Sequence, residues 1–228
     1  FCGGTSSQTF AGSAALNANN HGAADGYLAM VNANGGPSVR YCFLGSSGYD
    51  QCYFVQVDNN GDVVTLGQTS GQYPVQQDGN KPLYTIADGT LFFHKLNNTL
   101  DESRWSTRFG TSGTINHLVP TAFLVDYCNF ISFALWAGDV NYPLHSTTAG
   151  LPVSTDAFQG ATTGSDFYLG VLKDNASALH YGTFFGGTQA TEHVDGGTSR
   201  FDKKGIIYQS ICAGCGPEAD DLPITPGV

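Results

Sequence analysis

Charge is scarce in this chain, and basic charge is scarcer still. Only 12% of its 228 residues are Asp, Glu, Lys or Arg, about half the share of roughly 25% usual in globular proteins. Nine Lys+Arg stand against 19 Asp+Glu, a formal charge of −10. A surface this acidic offers no electrostatic footprint for nucleic acid or for an anionic membrane. No run of about 18 apolar residues is present, so no transmembrane segment is expected. Stretches rich in Ala, Glu, Lys, Leu and Arg are also missing, and with them the material of long helices.

What remains is strand and turn chemistry. Thirty residues are Gly, nearly twice the usual ~7%, and 15 Phe and 11 Tyr accompany them. Gly, Asn and Ser favour tight turns, while aromatics and Thr favour strands. At 41% apolar the chain can bury a core, which excludes a disordered, solvating chain. An all-β fold of secreted, extracellular or cell-surface type is expected. Phe1 is not an initiator Met and no charged-then-apolar leader precedes Cys2, the pattern of a processed or excised chain.

The chain also repeats itself. Residues 27–32 and 40–45 read as two short strands joined by a polar turn, as do 91–97 with 105–110 and 167–173 with 181–186. A second hairpin follows each first one: 53–58 with 62–67, 122–126 with 130–134, and 199–202 with 205–211. An aspartate closes the third strand each time, at Asp58, Asp126 and Asp202, and a proline mark ends each unit, at Tyr73-Pro74, Leu151-Pro152 and Leu222-Pro223. The expectation is three tandem four-stranded antiparallel units, at residues 21–78, 79–155 and 156–228. Residues 1–20 are left over. Within them Phe10, Ala11, Gly12, Ser13, Ala14, Ala15 and Leu16 read as an assembly strand, completing a preceding or neighbouring unit.

Those residues carry a family likeness. Leu151-Pro152-Val153, then Gly164-Ser165-Asp166-Phe167-Tyr168, then Tyr181-Gly182-Thr183-Phe184-Phe185-Gly186-Gly187 resemble the β-propeller repeats of secreted bacterial surface proteins. The stretch from Glu192 through Asp202-Lys203-Lys204-Gly205 to Ile211-Cys212-Ala213-Gly214-Cys215 looks like the version in gliding-motility-associated, type IX-secreted chains. The middle unit departs from the pattern, with Asn129 where the family has Gly and an insertion from Asp139 to Gly150. The resemblance implies a propeller-like or open β-repeat array. Closed propellers use about 4–8 blades. Three units and one strand do not close such a ring, which leaves a fragment of a longer propeller or adhesin, an open array, or a gap filled by another copy.

Residues suited to chemistry have bland readings beside them. Cys42 and Cys52 flank the turn at 45–50 and are disulfide candidates as hairpin neighbours. Cys212 and Cys215 read as a small loop disulfide rather than a metal or redox pair, and Cys2 and Cys128 remain by elimination. The run Asp58-Asn59-Asn60-Gly61-Asp62 superficially resembles a calcium loop, but its Gly falls early and no Glu closes it; a hairpin turn is expected. His94 and His180 lie in strands. Glu192, His193, Asp195 and Arg200 form a candidate polar cluster, read as a turn network. Asp101-Glu102 and Asp220-Asp221 are adjacent pairs, which a strand points to opposite faces. Alternating aromatics, among them Tyr41, Phe43, Tyr53, Phe54, Phe92, Phe93, Trp105, Phe109, Phe184 and Phe185, read as core. No catalytic set, metal site or cofactor is assigned. The expected role is structural or adhesive, with copies of itself or adjoining repeats as partners, self-assembling through strand edges into a filament or surface layer; a glycan-binding module or glycan-acting enzyme on a propeller face is the alternative.

Overall fold

The computed structural model describes residues 1–35, 39–111, 117–138, 146–189, 191–193, 199–213 and 221–226. They form an all-β protein whose one helical element is a single 3-10 turn, Asp174–Ala176. No helix among them is long and apolar enough to cross a membrane.

The first sheet contains β1 (Cys2–Thr5), β2 (Ser13–Ala14), β3 (Asp25–Val31) and β4 (Val39–Leu44), in the order β1-β3-β4-β2. The second contains β5 (Asp50–Val57), β6 (Val63–Thr69), β7 (Leu91–Leu96) and β8 (Ser103–Phe109), in chain order. The third repeats that arrangement with β9 (Val119–Val125), β10 (Ile131–Trp136), β11 (Phe167–Leu172) and β12 (Leu179–Phe185). Two short pairs follow: β13 (Glu192–His193) with β16 (Cys212–Ala213), and β14 (Ser199–Phe201) with β15 (Ile207–Gln209). Strands β1, β5, β9 and β14 lie side by side, so the sheets are arrayed along their inner strands. The array is open.

The four-stranded sheets are half a unit out of phase with the sequence repeat. The second sheet takes the later hairpin of residues 21–78 and the earlier hairpin of 79–155, and the third sheet likewise crosses 155/156. The first two proline marks, at Tyr73-Pro74 and Leu151-Pro152, therefore fall in loops inside a sheet, where they plug its face. Tyr73 is buried and stacks on Phe92 with centroids 3.9 Å apart, and the Pro152 carbonyl accepts the Tyr168 hydroxyl at 2.6 Å.

Two β-bulges recur at matching places. The β5–β6 register slips between Cys52 and Phe54, and the β9–β10 register slips opposite Ala134/Leu135. The outer strands slip at Lys95/Leu96 and at Val171/Leu172. A bulge bends its strand and raises local twist, so equal bulges give both sheets the same shape. The aromatics fill the space between them. Phe93, Phe109, Phe133 and Tyr168 meet in edge-on and tilted contacts within one core, together with Trp105 and Phe123.

Within this chain the residues from Phe10 to Leu16 pack on the first sheet, and the Leu16 N–H reaches the second at the Leu100 carbonyl, 3.0 Å away. Phe10 stacks on Phe43 and meets Tyr27 and Tyr41 edge-on. Ser13 and Ala14 run parallel to Arg40 and Tyr41 of the same chain, and the Ala15 N–H donates to the Tyr41 carbonyl. The segment closes the outer edge of its own first sheet. Burial of one aromatic ring outweighs what a free extended segment would gain in conformational freedom.

Candidate functional site

Three aspartates build one turn three times. The Asp58 carboxylate accepts the N–H groups of Asn60 and Asp62, that of Asp126 accepts Cys128 and Phe130, and that of Asp202 accepts Lys204 and Ile206. In each turn the residue three places on is left-handed: Gly61, Asn129 and Gly205, with φ of 83°, 59° and 82°. Asn tolerates that region better than other side chains, which is why the middle unit keeps the geometry without glycine. The Asp58–Asp62 run is thus a hairpin turn whose oxygens are used internally. Among the described residues no group of three or more His, Cys, Asp or Glu is placed to hold a metal ion.

The three turns share one rim of the array. Asn59 donates its N–H to Asn129 Oδ1 at 3.0 Å and its side-chain amide to the Tyr127 carbonyl. Deeper in, the Gln56 amide spans to the Phe123 carbonyl and the Val125 N–H. A cavity of about 540 Å³ opens beside these clasps, lined by Asn59, Asp126, Tyr127, Arg200, Asp202 and Lys203 among others. Tyr127 is 75% exposed at its mouth. Below the rim, Lys95 is buried in β7 with its ammonium 2.6 Å from Asp58 Oδ2, 3.5 Å from Asp62 and 3.4 Å from Asn175 Oδ1. Trp105 Nε1 donates to the same Asn175 oxygen at 3.2 Å.

The opposite rim carries buried acids. Asp25, Asp50, Asp166 and Glu192 are each fully buried. Asp25 Oδ2 accepts the His21 N–H at 2.9 Å, Asp50 Oδ2 accepts the Ser46 N–H at 2.7 Å, and Asp166 Oδ1 accepts the Thr163 hydroxyl at 2.8 Å. Asp25 lies on Gly45 and Asp166 on Gly186, the two glycines that end the outer strands. Asp50 is raised above the ordinary carboxyl range by burial. Glu192 is pushed up from 4.5 to about 7, first by burial and then by the neighbouring Asp166 carboxylate, against the opposing Gly187 N–H at 2.7 Å. Glu192 is therefore favoured in its protonated form toward neutrality.

Several expected groupings separate. Cys42 and Cys52 are thiols rather than a disulfide. Their strands, β4 and β5, belong to different sheets, so they are not the hairpin neighbours that their spacing suggests. Burial pushes the Cys42 thiol up to about 12 and the Cys52 thiol well above its usual range, which leaves both unreactive. Cys2 packs beside them and Cys128 is exposed on the middle turn, neither of them bonded. Cys212 lies in β16; Cys215 lies outside the described residues, as do Asp195, Asp220 and most of the 139–150 insertion. Glu192 faces Asp166 and Gly187, whereas Arg200 lines the cavity at the other rim. Asp101 is held by Asn97, Thr99 and Arg40, and Glu102 by Arg104. His94 is neutral and buried, lowered to about 3 by burial, between the Tyr73 hydroxyl at 2.7 Å and Ser103 Oγ at 2.8 Å.

The sequence reading missed the acid pairs. The visible signal was an acid placed directly before an apolar strand, as Asp166 stands before Phe167 and Tyr168. Of the aromatics expected in the core, Tyr41, Phe43, Phe92, Phe93, Trp105, Phe109 and Phe184 are buried and Tyr53, Phe54 and Phe185 half-buried, while the exposed ones are others: Phe1, Tyr49, Tyr127, Phe158 and Tyr208. Compared with known proteins, the chain matches no family model and no curated protein.

Proposed function

We propose that this chain is an extracellular, non-catalytic β-repeat protein with a structural or adhesive role, built to associate through its sheet edges. The observation that carries this reading is the unequal completion of the sheets. Three sheets have four strands, whereas β14 and β15 form a hairpin with no third strand among the described residues. Ile206 and Tyr208 are more than half exposed on that hairpin. An unpaired edge with apolar side chains invites another strand. The scarcity of lysine supports it, because edge lysines are a common defence against such pairing. The likeness to the repeats of bacterial surface proteins points to the same setting.

Sedimentation velocity across a concentration series tests the proposal. Growth of the sedimentation coefficient beyond that of a monomer is expected, with extended particles in negative-stain images. A single compact monomer at every concentration up to about 0.1 mM, where even weak specific contacts populate complexes, would refute it.

The rim cavity favours a second reading. Tyr127 offers an open ring beside Asn59, Arg200 and Lys203, and such a ring stacks on the apolar face of a sugar. Binding to immobilised glycans that Tyr127→Ala abolishes would support this reading. Glycan arrays that stay blank would sink it.

A further inference from the structure

Side-chain amides close the seam between β5 and β9, and the next seam, between β9 and β14, has none in the same places. Gln56 stands two places before its turn aspartate, Asp58, and Asn59 one place after it. The Gln56 amide donates to the Phe123 carbonyl at 3.0 Å and accepts the Val125 N–H at 2.8 Å. Asn59 reaches Asn129 Oδ1 and the Tyr127 carbonyl. Counted from Asp126, the same two places are held by Leu124 and Tyr127. Leu124 has no polar group to offer a neighbouring strand. Where the middle turn has Asn129, the last turn has Gly205, which has no side-chain oxygen.

The backbone that those amides serve is nevertheless repeated. The Asp126 N–H donates to the Phe130 carbonyl at 3.0 Å and the Asp202 N–H to the Ile206 carbonyl at 2.9 Å. The registers agree as well, Val125 opposite Ile131 and Phe201 opposite Ile207. Antiparallel ladders alternate bonded and non-bonded pairs. Ser199 and Phe201 therefore fall in non-bonded pairs of their hairpin, as Phe123 and Val125 do in theirs. The Ser199 carbonyl and the Phe201 N–H turn outward, toward the neighbouring inner strand β9. In place of the amide clasp lies the cavity of about 540 Å³, with Leu124 and Phe201 in its wall and Tyr127 at its mouth. That volume is within the range of about 300–1,000 Å³ usual for small-ligand sites. Among the described lining residues, Arg200 and Lys203 balance Asp126 and Asp202, so the cavity suits a neutral ligand.

We propose that this cavity takes an N-acetylhexosamine residue of a glycan, whose acetamido group replaces the amide that Gln56 supplies one seam earlier. The acetamido carbonyl accepts the Phe201 N–H, and the acetamido N–H donates to the Ser199 carbonyl. Its methyl group lies on Leu124, and the apolar face of the sugar ring stacks on Tyr127. This rests on the glycan-binding reading of the same cavity and names the sugar. A hexose with a hydroxyl in place of the amide cannot answer both backbone groups. Polar groups left unpaired in a site are what reject an analogue that lacks the matching group.

Isothermal titration calorimetry with matched disaccharides tests the assignment. N,N′-diacetylchitobiose is expected to bind at least about tenfold more tightly than cellobiose, which has the same linkage and no acetamido group. The N-acetylglucosamine–N-acetylmuramic acid disaccharide of peptidoglycan separates the two polymers that supply such a residue. Tighter binding of either acetamido disaccharide than of cellobiose supports the site, and the stronger of the two names the source. Leu124→Gln rebuilds the clasp of the earlier seam and is expected to weaken chitobiose binding at least about tenfold, with circular dichroism like that of the parent. Should that variant fail to fold, the comparison of disaccharides on the parent decides alone. Equal affinity for chitobiose and cellobiose, or a folded Leu124→Gln that binds like the parent, would overturn the acetamido assignment and leave glycan binding standing. A parent that binds no glycan would overturn both.

Discussion

Replacing Lys95 by Met removes the buried cation beneath the turn rim. Its ammonium is 5% exposed and lies 2.6 Å from an Asp58 side chain that is 1% exposed. The approach lies off the hydrogen-bond direction of Asp58 Oδ2, so the attraction is Coulombic. The other carboxylate oxygen, Oδ1, is held by two backbone N–H groups and cannot turn away without breaking the turn. Lys95→Met therefore strands a buried negative charge, and removing one partner of such a pair costs about 3–5 kcal/mol. The two N–H groups and the remaining Arg104–Asp62 contact at 3.8 Å place the expected loss at the lower end, about 3 kcal/mol. Lys81 and Asp78 provide the control. They form an ion pair as well, but their side chains are 59% and 38% exposed, and a surface pair contributes about 0–1 kcal/mol. In urea denaturation followed by tryptophan fluorescence, Lys95→Met is expected to lower the midpoint by about 1 M for a slope near 3 kcal/mol/M. Lys81→Met is expected to leave it in place. Adding Asp58→Asn to Lys95→Met is expected to recover part of the loss, since Asn keeps an oxygen for the turn and carries no charge. Equal midpoints for Lys95→Met and Lys81→Met would refute the reasoning.

Glu192 holds its proton more tightly in the folded chain than in the unfolded one, at about 7 against 4.5. For an acid raised in this way, the contribution to stability is full below about 4.5 and is lost as pH climbs through about 7. Thermal unfolding between pH 5 and 8 is expected to show that decline, and Glu192→Gln, neutral at every pH, is expected to flatten it; an unchanged slope in the variant would refute the raised Glu192 carboxyl. At the middle turn, Asn129→Gly is expected to be tolerated, whereas Asn129→Val is expected to cost about 1–2 kcal/mol for a branched residue at positive φ. Chemical denaturation of the two variants checks it, and equal stabilities would count against the left-handed turn.

The hairpins were legible in the sequence because each is local: alternation, a polar turn and a closing Asp lie within about a dozen residues. The pairing between hairpins was not. Val63 finds Leu96 across a loop of more than twenty residues, and nothing in that loop distinguishes a boundary between sheets from a crossing within one. The proline marks at Tyr73-Pro74 and Leu151-Pro152 looked like ends and proved to be plugs. Cys42 and Cys52 misled for the same reason, since the short link between them joins two sheets rather than two strands of one. The bulges at Tyr53 and Arg104 left no composition signal, because a bulge is a property of register between two strands. The acid pairs escaped because their partners come from separate strands: Asp166 precedes β11 and Glu192 belongs to β13.

The half-unit offset bears on how such a chain is made. As synthesis proceeds from the N-terminus, an inner hairpin such as β5–β6 emerges first, and the strands that cover its outer edge, β7 and β8, follow about twenty residues later. During that interval the newest sheet presents two strands and an open ladder. Each further hairpin both protects the sheet behind it and creates the next unprotected one. A growing array thus carries a vulnerable edge that travels with the growing end of the chain, while β7 and β8 already cover the edge of β6 behind it. Local pairing of this kind keeps exposed strand surface small at any moment, and it orders the sheets in time as the inner strands order them in space.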